Sequence, residues 1–127
     1  MTTKRCTILI VEDSRVQALA LQQLLEQKGL DVLRALDGHV GIAMAERYLP
    51  DAIVLDIQMP GMDGLEACQR LKQNPKTSHI PIVMLTAYSD SKVLMRGLSL
   101  GAVDFIPKDA FSDSVLLETL RQLHILD

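Results

Sequence analysis

The chain has no tryptophan, and only two tyrosines and two phenylalanines among its 127 residues. An aromatic content of 3% rules out a core built on rings. Leucine, isoleucine, valine, alanine and methionine must fill it instead. There is no basic stripe: 13 lysines and arginines are interspersed with 16 acidic residues, for a formal net charge of -3. That argues against direct contact with nucleic acid. The two cysteines, Cys6 and Cys68, lie far apart in unrelated settings. They suggest neither a disulfide framework nor a zinc site, and read as reduced thiols. The apolar stretch nearest the start, residues 8–11, is too short for a signal-peptide core or a membrane helix. The expectation is a soluble, cytoplasmic protein that does not engage a membrane. No glycine fingerprint of a phosphate loop or a dinucleotide site is present. His39, His79 and His124 have no partners at ligand or triad spacing, and read as surface or boundary residues.

What is present is an alternation. Residues 7–11 (TILIV) form an apolar run of strand length. Residues 14–28 carry Val16, Leu19, Ala20 and Leu24 near helical period, with Leu21 and Leu25 widening the stripe, and Gly29 closes the helix. A weaker strand spans 30–36, and a helix spans 38–48 and must stop before Pro50. A third strand, buried on both faces, spans 52–56. Asp63 caps a helix through about 74, with Glu66 in capping-box position and Pro75 ending it. Strands at 80–85 and 103–106 alternate with helices at 89–100 and 112–124. The last helix presents Leu116, Leu117, Leu120 and Leu123 on one face.

Five strands alternating with five helices over a single domain, residues 1–127, predict an α/β fold. The sheet is parallel with helices on both faces. At this size the flavodoxin-like (βα)5 three-layer sandwich is expected, with strand order 2-1-3-4-5. Its switch point lies between the first and third strands, and ligands bind outside the carboxyl ends of such strands.

The chemistry-bearing residues fall at those ends. The first strand runs into Glu12-Asp13 and the third ends at Asp56. Like charges brought together cost stability unless a cation intervenes. Oxygen ligands of this kind favour Mg2+, which takes few protein carboxylates and binds phosphate oxygens readily. The fourth strand brings the hydroxyl of Thr86, and the fifth is followed by Lys108. Carboxylate, metal, hydroxyl and ammonium would together serve an aspartyl-phosphate, whose chemistry rests on positioning and charge neutralisation.

Glu12-Asp13, the IVLDIQMPGMDG segment around Asp56, Thr86-Ala87 and Phe105-Ile106-Pro107-Lys108 stand in order along essentially the whole chain. Together they resemble the receiver domain of two-component response regulators, the CheY-like superfamily. By that resemblance Asp56 is the phospho-acceptor, served by a sensor histidine kinase or a histidine phosphotransfer protein. Asp13 and Asp56 would bind Mg2+ directly, with the backbone carbonyl of Gln58 as a third protein ligand and Glu12 acting through water. Thr86 would hydrogen-bond the phosphoryl group and Lys108 would pair with it. Thr86 and Phe105 would be the switch. The fourth helix, fifth strand and fifth helix would present an output surface to an effector protein, a fused output domain or a second copy after phosphorylation. Enzymatic activity would be confined to Mg2+-dependent self-phosphorylation and self-dephosphorylation.

Receivers usually follow the lysine with proline; here Asp109 stands there. The expectation is either a trans peptide with a shifted lysine or a strained cis bond, and Asp109 would slightly repel an incoming phosphate. In the family, positions equivalent to Gln58 and Tyr88 tune access of the hydrolytic water, and a bulky Tyr88 suggests slow self-dephosphorylation. Gly61 and Gly64 would allow the tight turn after the third strand, and Met59 and Met62 read as loop packing. Two other functions compete. One is a phosphorylation-independent adaptor, which has no need of the intact acidic and basic set. The other is an aspartate-nucleophile phosphatase, which would need a second carboxylate where Gln58 stands.

Overall fold

The structure is a computed structural model and describes residues 5–87 and 91–127. Five strands, β1 (Thr7–Val11), β2 (Asp31–Ala35), β3 (Ala52–Asp56), β4 (Ile82–Thr86) and β5 (Asp104–Pro107), form one parallel sheet. Their order is β2-β1-β3-β4-β5, as expected. Five helices connect or follow them: α1 (Arg15–Gln27), α2 (Gly38–Tyr48), α3 (Gly64–Gln73), α4 (Ser91–Ser99) and α5 (Ser112–Gln122).

Alternate strand residues build two cores. Leu9, Val11, Ile53, Leu55, Ile82 and Met84 point one way, against residues of α2 and α3 such as Ala45, Cys68 and Leu71. Ile8, Ile10, Val54, Val83 and Ile106 point the other way, against α1 and α5. This is the period-two alternation of a strand covered on both faces. Each fully buried leucine, such as Leu25 or Leu116, stabilises the fold by roughly 1.5–3 kcal/mol.

The face of α1 differs from the expected one. Ala18, Leu21 and Leu25 are buried on it, whereas Val16 is 80% exposed, Leu19 46% exposed and Ala20 exposed. Two apolar stripes overlap on this helix, and the sheet covers the one running through Ala18. Ser14 is the N-cap, accepting from the Gln17 backbone N–H. Gly29 takes the expected left-handed conformation at φ +87°.

Other boundaries shift slightly. β4 starts at Ile82 because Ile80 bonds back to Thr77 in the preceding turn and Pro81 has no N–H to give. β2 and β5 likewise differ by a residue at their ends. α5 stops at Gln122, with His124 left-handed at φ 61°. The described part of α4 begins at Ser91; the expected start at Ser89 lies outside the described residues. Asp63 caps α3 as expected, but the Glu66 carboxylate pairs with Arg70 at 3.0 Å. His39, His79 and His124 are exposed. Neither cysteine is in a disulfide. Met59 and Met62 are buried loop residues. Among the described residues no helix is long and apolar enough to cross a membrane.

Candidate functional site

The site is assembled by strand ends. β1 releases Glu12 and Asp13 directly after Val11, and β3 ends on Asp56. Because β1 and β3 are neighbours in register, the three carboxylates converge. One oxygen of each lies within 4.8 Å of the others. Asp56 is 5% exposed and Glu12 6%, whereas Asp13 faces solvent. The Asp13 carboxyl is held above its ordinary value by loss of solvent, then by Glu12 beside it; Lys108 pulls the other way.

The opposite wall comes from β5. The Lys108 backbone N–H donates to the Thr86 carbonyl at 2.7 Å, tying the turn after β5 to the end of β4. From there the Lys108 ammonium reaches Glu12 Oε1 at 2.6 Å and lies 3.4 Å from Asp56 Oδ2. It also donates to Gln17 Oε1 at 2.6 Å. No peptide bond among the described residues is cis, so the bond after Lys108 is trans and the lysine still reaches Asp56. The remaining carboxylate oxygens have backbone donors. Ser14 N–H donates to Glu12 Oε2 at 3.3 Å, and Gln58 N–H to Asp56 Oδ1 at 3.2 Å.

The loop after β3 needs its glycines. Gly61 adopts φ +75°, a conformation that favours glycine. At Gly64 a Cβ would lie 2.3 Å from the Asp56 carbonyl oxygen. The first residue of α3 therefore sits directly on the backbone of the acceptor candidate, and its N–H donates to the Ile57 carbonyl at 2.9 Å.

Thr86 closes β4 and is fully buried. Phe105 is half-buried among the residues of the α3–α4 core. A Cβ at Gly97 would sit 3.4 Å from both its ring and the Met84 sulfur, so the ring lies against α4. Tyr88 lies outside the described residues.

Chemically, three carboxylates face one ammonium, and the excess negative charge calls for a further cation. The donor set is all oxygen, as a hard cation such as Mg2+ prefers. The structure thus brings Glu12, Asp13, Asp56 and Lys108 into one cluster. Sequence reasoning missed Gln17, and it expected Glu12 to act on a metal through water, not to pair with Lys108. Nothing in the sequence marked Gln17: Glu12 and Asp13 precede α1, so no helical spacing links them to it.

Comparison with known proteins agrees with this geometry. The profile of the response regulator receiver domain matches residues 8–121. The response regulator PleD of Caulobacter vibrioides is 41% identical over 116 residues, which are 91% of this chain but 25% of PleD. Protein PilH of Pseudomonas aeruginosa is 35% identical over 114 residues, covering 90% of this chain and 93% of PilH. Among solved structures, that of a putative response regulator from Chloroflexus aurantiacus superimposes with a TM-score of 0.87. It is 35% identical, and the match covers 94% of this chain and 98% of that one. The chain spans about a quarter of the length of PleD. The acidic pair after β1, the aspartate ending β3 and the lysine after β5 lie within the matched segment, and the chain belongs to the response regulator receiver domain family of two-component systems.

Proposed function

We propose that Asp56 is the phosphoryl acceptor of a two-component relay. The observation that carries this reading is the convergence of Lys108, Glu12 and Asp13 on the buried Asp56 at the switch point of the sheet. A phosphohistidine on a sensor kinase or phosphotransfer protein is the donor. A carboxylate oxygen of Asp56 attacks phosphorus, the P–N bond breaks and the imidazole leaves with its electron pair. Glu12, Asp13, Asp56 and the Gln58 carbonyl would hold Mg2+, whose role is to neutralise charge on the phosphoryl oxygens. Lys108 supplies the second positive charge from the β5 side. Hydrolysis of the aspartyl phosphate by water returns the site to its resting form.

The output would follow from Thr86 and Phe105. The Thr86 hydroxyl turns to a phosphoryl oxygen, and the Phe105 ring, already lying against α4, follows by packing alone. The surface it reaches carries apolar side chains open to solvent. Met95 on α4 is 70% exposed, and Phe111 and Val115 at the start of α5 are 72% and 43% exposed. Such exposure supports docking of an effector, a fused output domain or a second copy.

The test is incubation with acetyl phosphate, or with beryllofluoride, in the presence of Mg2+. The expected result is a mass increase at Asp56 with acetyl phosphate and a spectral change with beryllofluoride, both lost in Asp56→Asn. Retained labelling in that variant would refute the reading. An unlabelled wild-type protein would favour the phosphorylation-independent adaptor.

A further inference from the structure

The Lys108 ammonium has three N–H donors and three acceptors within reach. Two of them, Glu12 Oε1 at 2.6 Å and Asp56 Oδ2 at 3.4 Å, are carboxylates. The third, Gln17 Oε1 at 2.6 Å, is neutral. We infer that Gln17 is a positioning residue for phosphoryl transfer: its side-chain carbonyl anchors Lys108 on the Asp56 side of the site. The inference rests on the reading of Asp56 as the acceptor.

Gln17 is well placed to act as an anchor. It lies in the first turn of α1, and its own backbone N–H is fixed by the Ser14 hydroxyl at 3.3 Å. Lys108 comes from the opposite wall, its main chain fixed by the bond to Thr86. Between these fixed points runs a flexible four-carbon stem. The two residues line one groove of ≈ 380 Å³, and Asp109 and Asp113 line the same groove. Those two carboxylates offer the ammonium an alternative that leads away from Asp56. A neutral acceptor on α1 opposes that pull without adding negative charge where a phosphoryl group must enter.

Its neutrality matters during the reaction as well. When Asp56 is phosphorylated to the acyl phosphate, the carboxylate that Lys108 pairs with loses its charge, and the ammonium turns to a phosphoryl oxygen. When a cation binds, Glu12 is drawn toward it. Gln17 carries no charge, so neither event competes for it. It therefore holds one N–H of the ammonium while the other two change partners.

The variant Gln17→Met keeps the length and removes the acceptor. Position 17 is exposed, so the melting temperature should stay within about 2 °C of wild type. Two readouts test the inference. In metal-free protein the ammonium 1H–15N signal of Lys108 should be sharp in wild type, broadened by fast exchange in Gln17→Met and restored in Gln17→Glu. With acetyl phosphate, the limiting rate of Asp56 labelling at saturating Mg2+ should fall about ten-fold in Gln17→Met. The Mg2+ concentration for half-maximal rate should stay within about two-fold, because the residue acts on the lysine and not on the cation. Gln17→Glu keeps the acceptor but adds negative charge where the phosphoryl group enters, so it should restore the Lys108 signal yet recover less than half of the rate. An unchanged Lys108 signal, an unchanged limiting rate, or a shift confined to the Mg2+ half-point would each overturn the anchor. Absence of labelling in wild type with the signal changes intact would instead indict the acceptor reading alone.

Discussion

Two half-buried lysines sit at opposite ends of the sheet, and they do different work. Lys72 on α3 donates to the carbonyls of Ser78 and Ile80 at 3.1 and 2.7 Å. Its neighbours close on one another. The buried Thr77 hydroxyl donates to the Leu71 carbonyl at 2.7 Å, and the Asn74 side chain accepts from Lys76 N–H at 3.0 Å. Burial lowers the Lys72 pKa and pushes the nearby Cys68 thiol up to about 11, so that thiol is not a nucleophile at neutral pH. Every acceptor Lys72 meets is a neutral carbonyl. Lys108 instead meets two carboxylates and an amide, with Asp13 adding a third carboxylate to the cluster. A buried lysine is therefore no marker of a site by itself. The surplus charge it faces is the marker: the turn around Thr77 is closed and structural, whereas the carboxyl edge is left with charge that folding alone does not balance.

The largest effect expected from this contrast is on phosphoryl transfer. Lys108→Met should slow labelling of Asp56 by acetyl phosphate about a hundred-fold or more, the scale of losing one charged stabiliser of a transition state. Lys72→Met should leave that rate within about two-fold. Equal losses in the two variants would erase the distinction between the lysines.

Stability should rank them differently, and with smaller effects. Lys72→Met leaves two carbonyls short of a donor, which costs about 1–3 kcal/mol in urea unfolding. Mg2+ should not restore it. Lys108→Met should also destabilise the metal-free protein, because Glu12 and Asp56 then face each other without their cation. Here added Mg2+ should recover most of the loss by binding the folded state. If Mg2+ rescued both variants alike, the cation would be acting somewhere other than the acidic cluster.

The same contrast explains what could be read from the sequence. Strand ends are legible because an apolar run stops where the sheet does, so Glu12, Asp13, Asp56, Thr86 and Lys108 could be placed at the carboxyl edge from the sequence. The parallel order followed from alternation and handedness. Whether α1 would bury Val16 or Ala18 was not legible, because the helix offers both stripes and only its rotation on the sheet decides. The Lys108 partners were hidden for a similar reason. Gln17 is distant from Lys108 in the chain, and a lone glutamine in a first helical turn has no pattern of its own. The missing proline after Lys108 left two expectations, a trans peptide with a shifted lysine or a strained cis bond. The peptide is trans, and the long side chain brings the ammonium to 3.4 Å from Asp56 Oδ2.

The smallest expected effect probes the charge surplus directly, at Asp13. Its carboxyl is held above the ordinary value of 3.8 in the folded protein, chiefly by lost solvent and then by Glu12. A group whose folded pKa is raised binds its proton more tightly when folded. Its favourable contribution is therefore complete below pH 3.8 and is lost as pH rises through the folded pKa. At pH 7 the ionised Asp13 weakens the metal-free fold. Asp13→Asn cannot ionise, so in chelator at pH 7 it should melt about 1–3 °C above wild type. That advantage should shrink to nothing below pH 3.8, where both side chains are neutral. With saturating Mg2+ at pH 7 the order should reverse, because wild type gains the cation and the variant gains less. A metal-free variant that melts below wild type at pH 7 would mean that Asp13 is held by contacts worth more than the repulsion. The carboxyl edge would then be no more strained than the turn around Lys72.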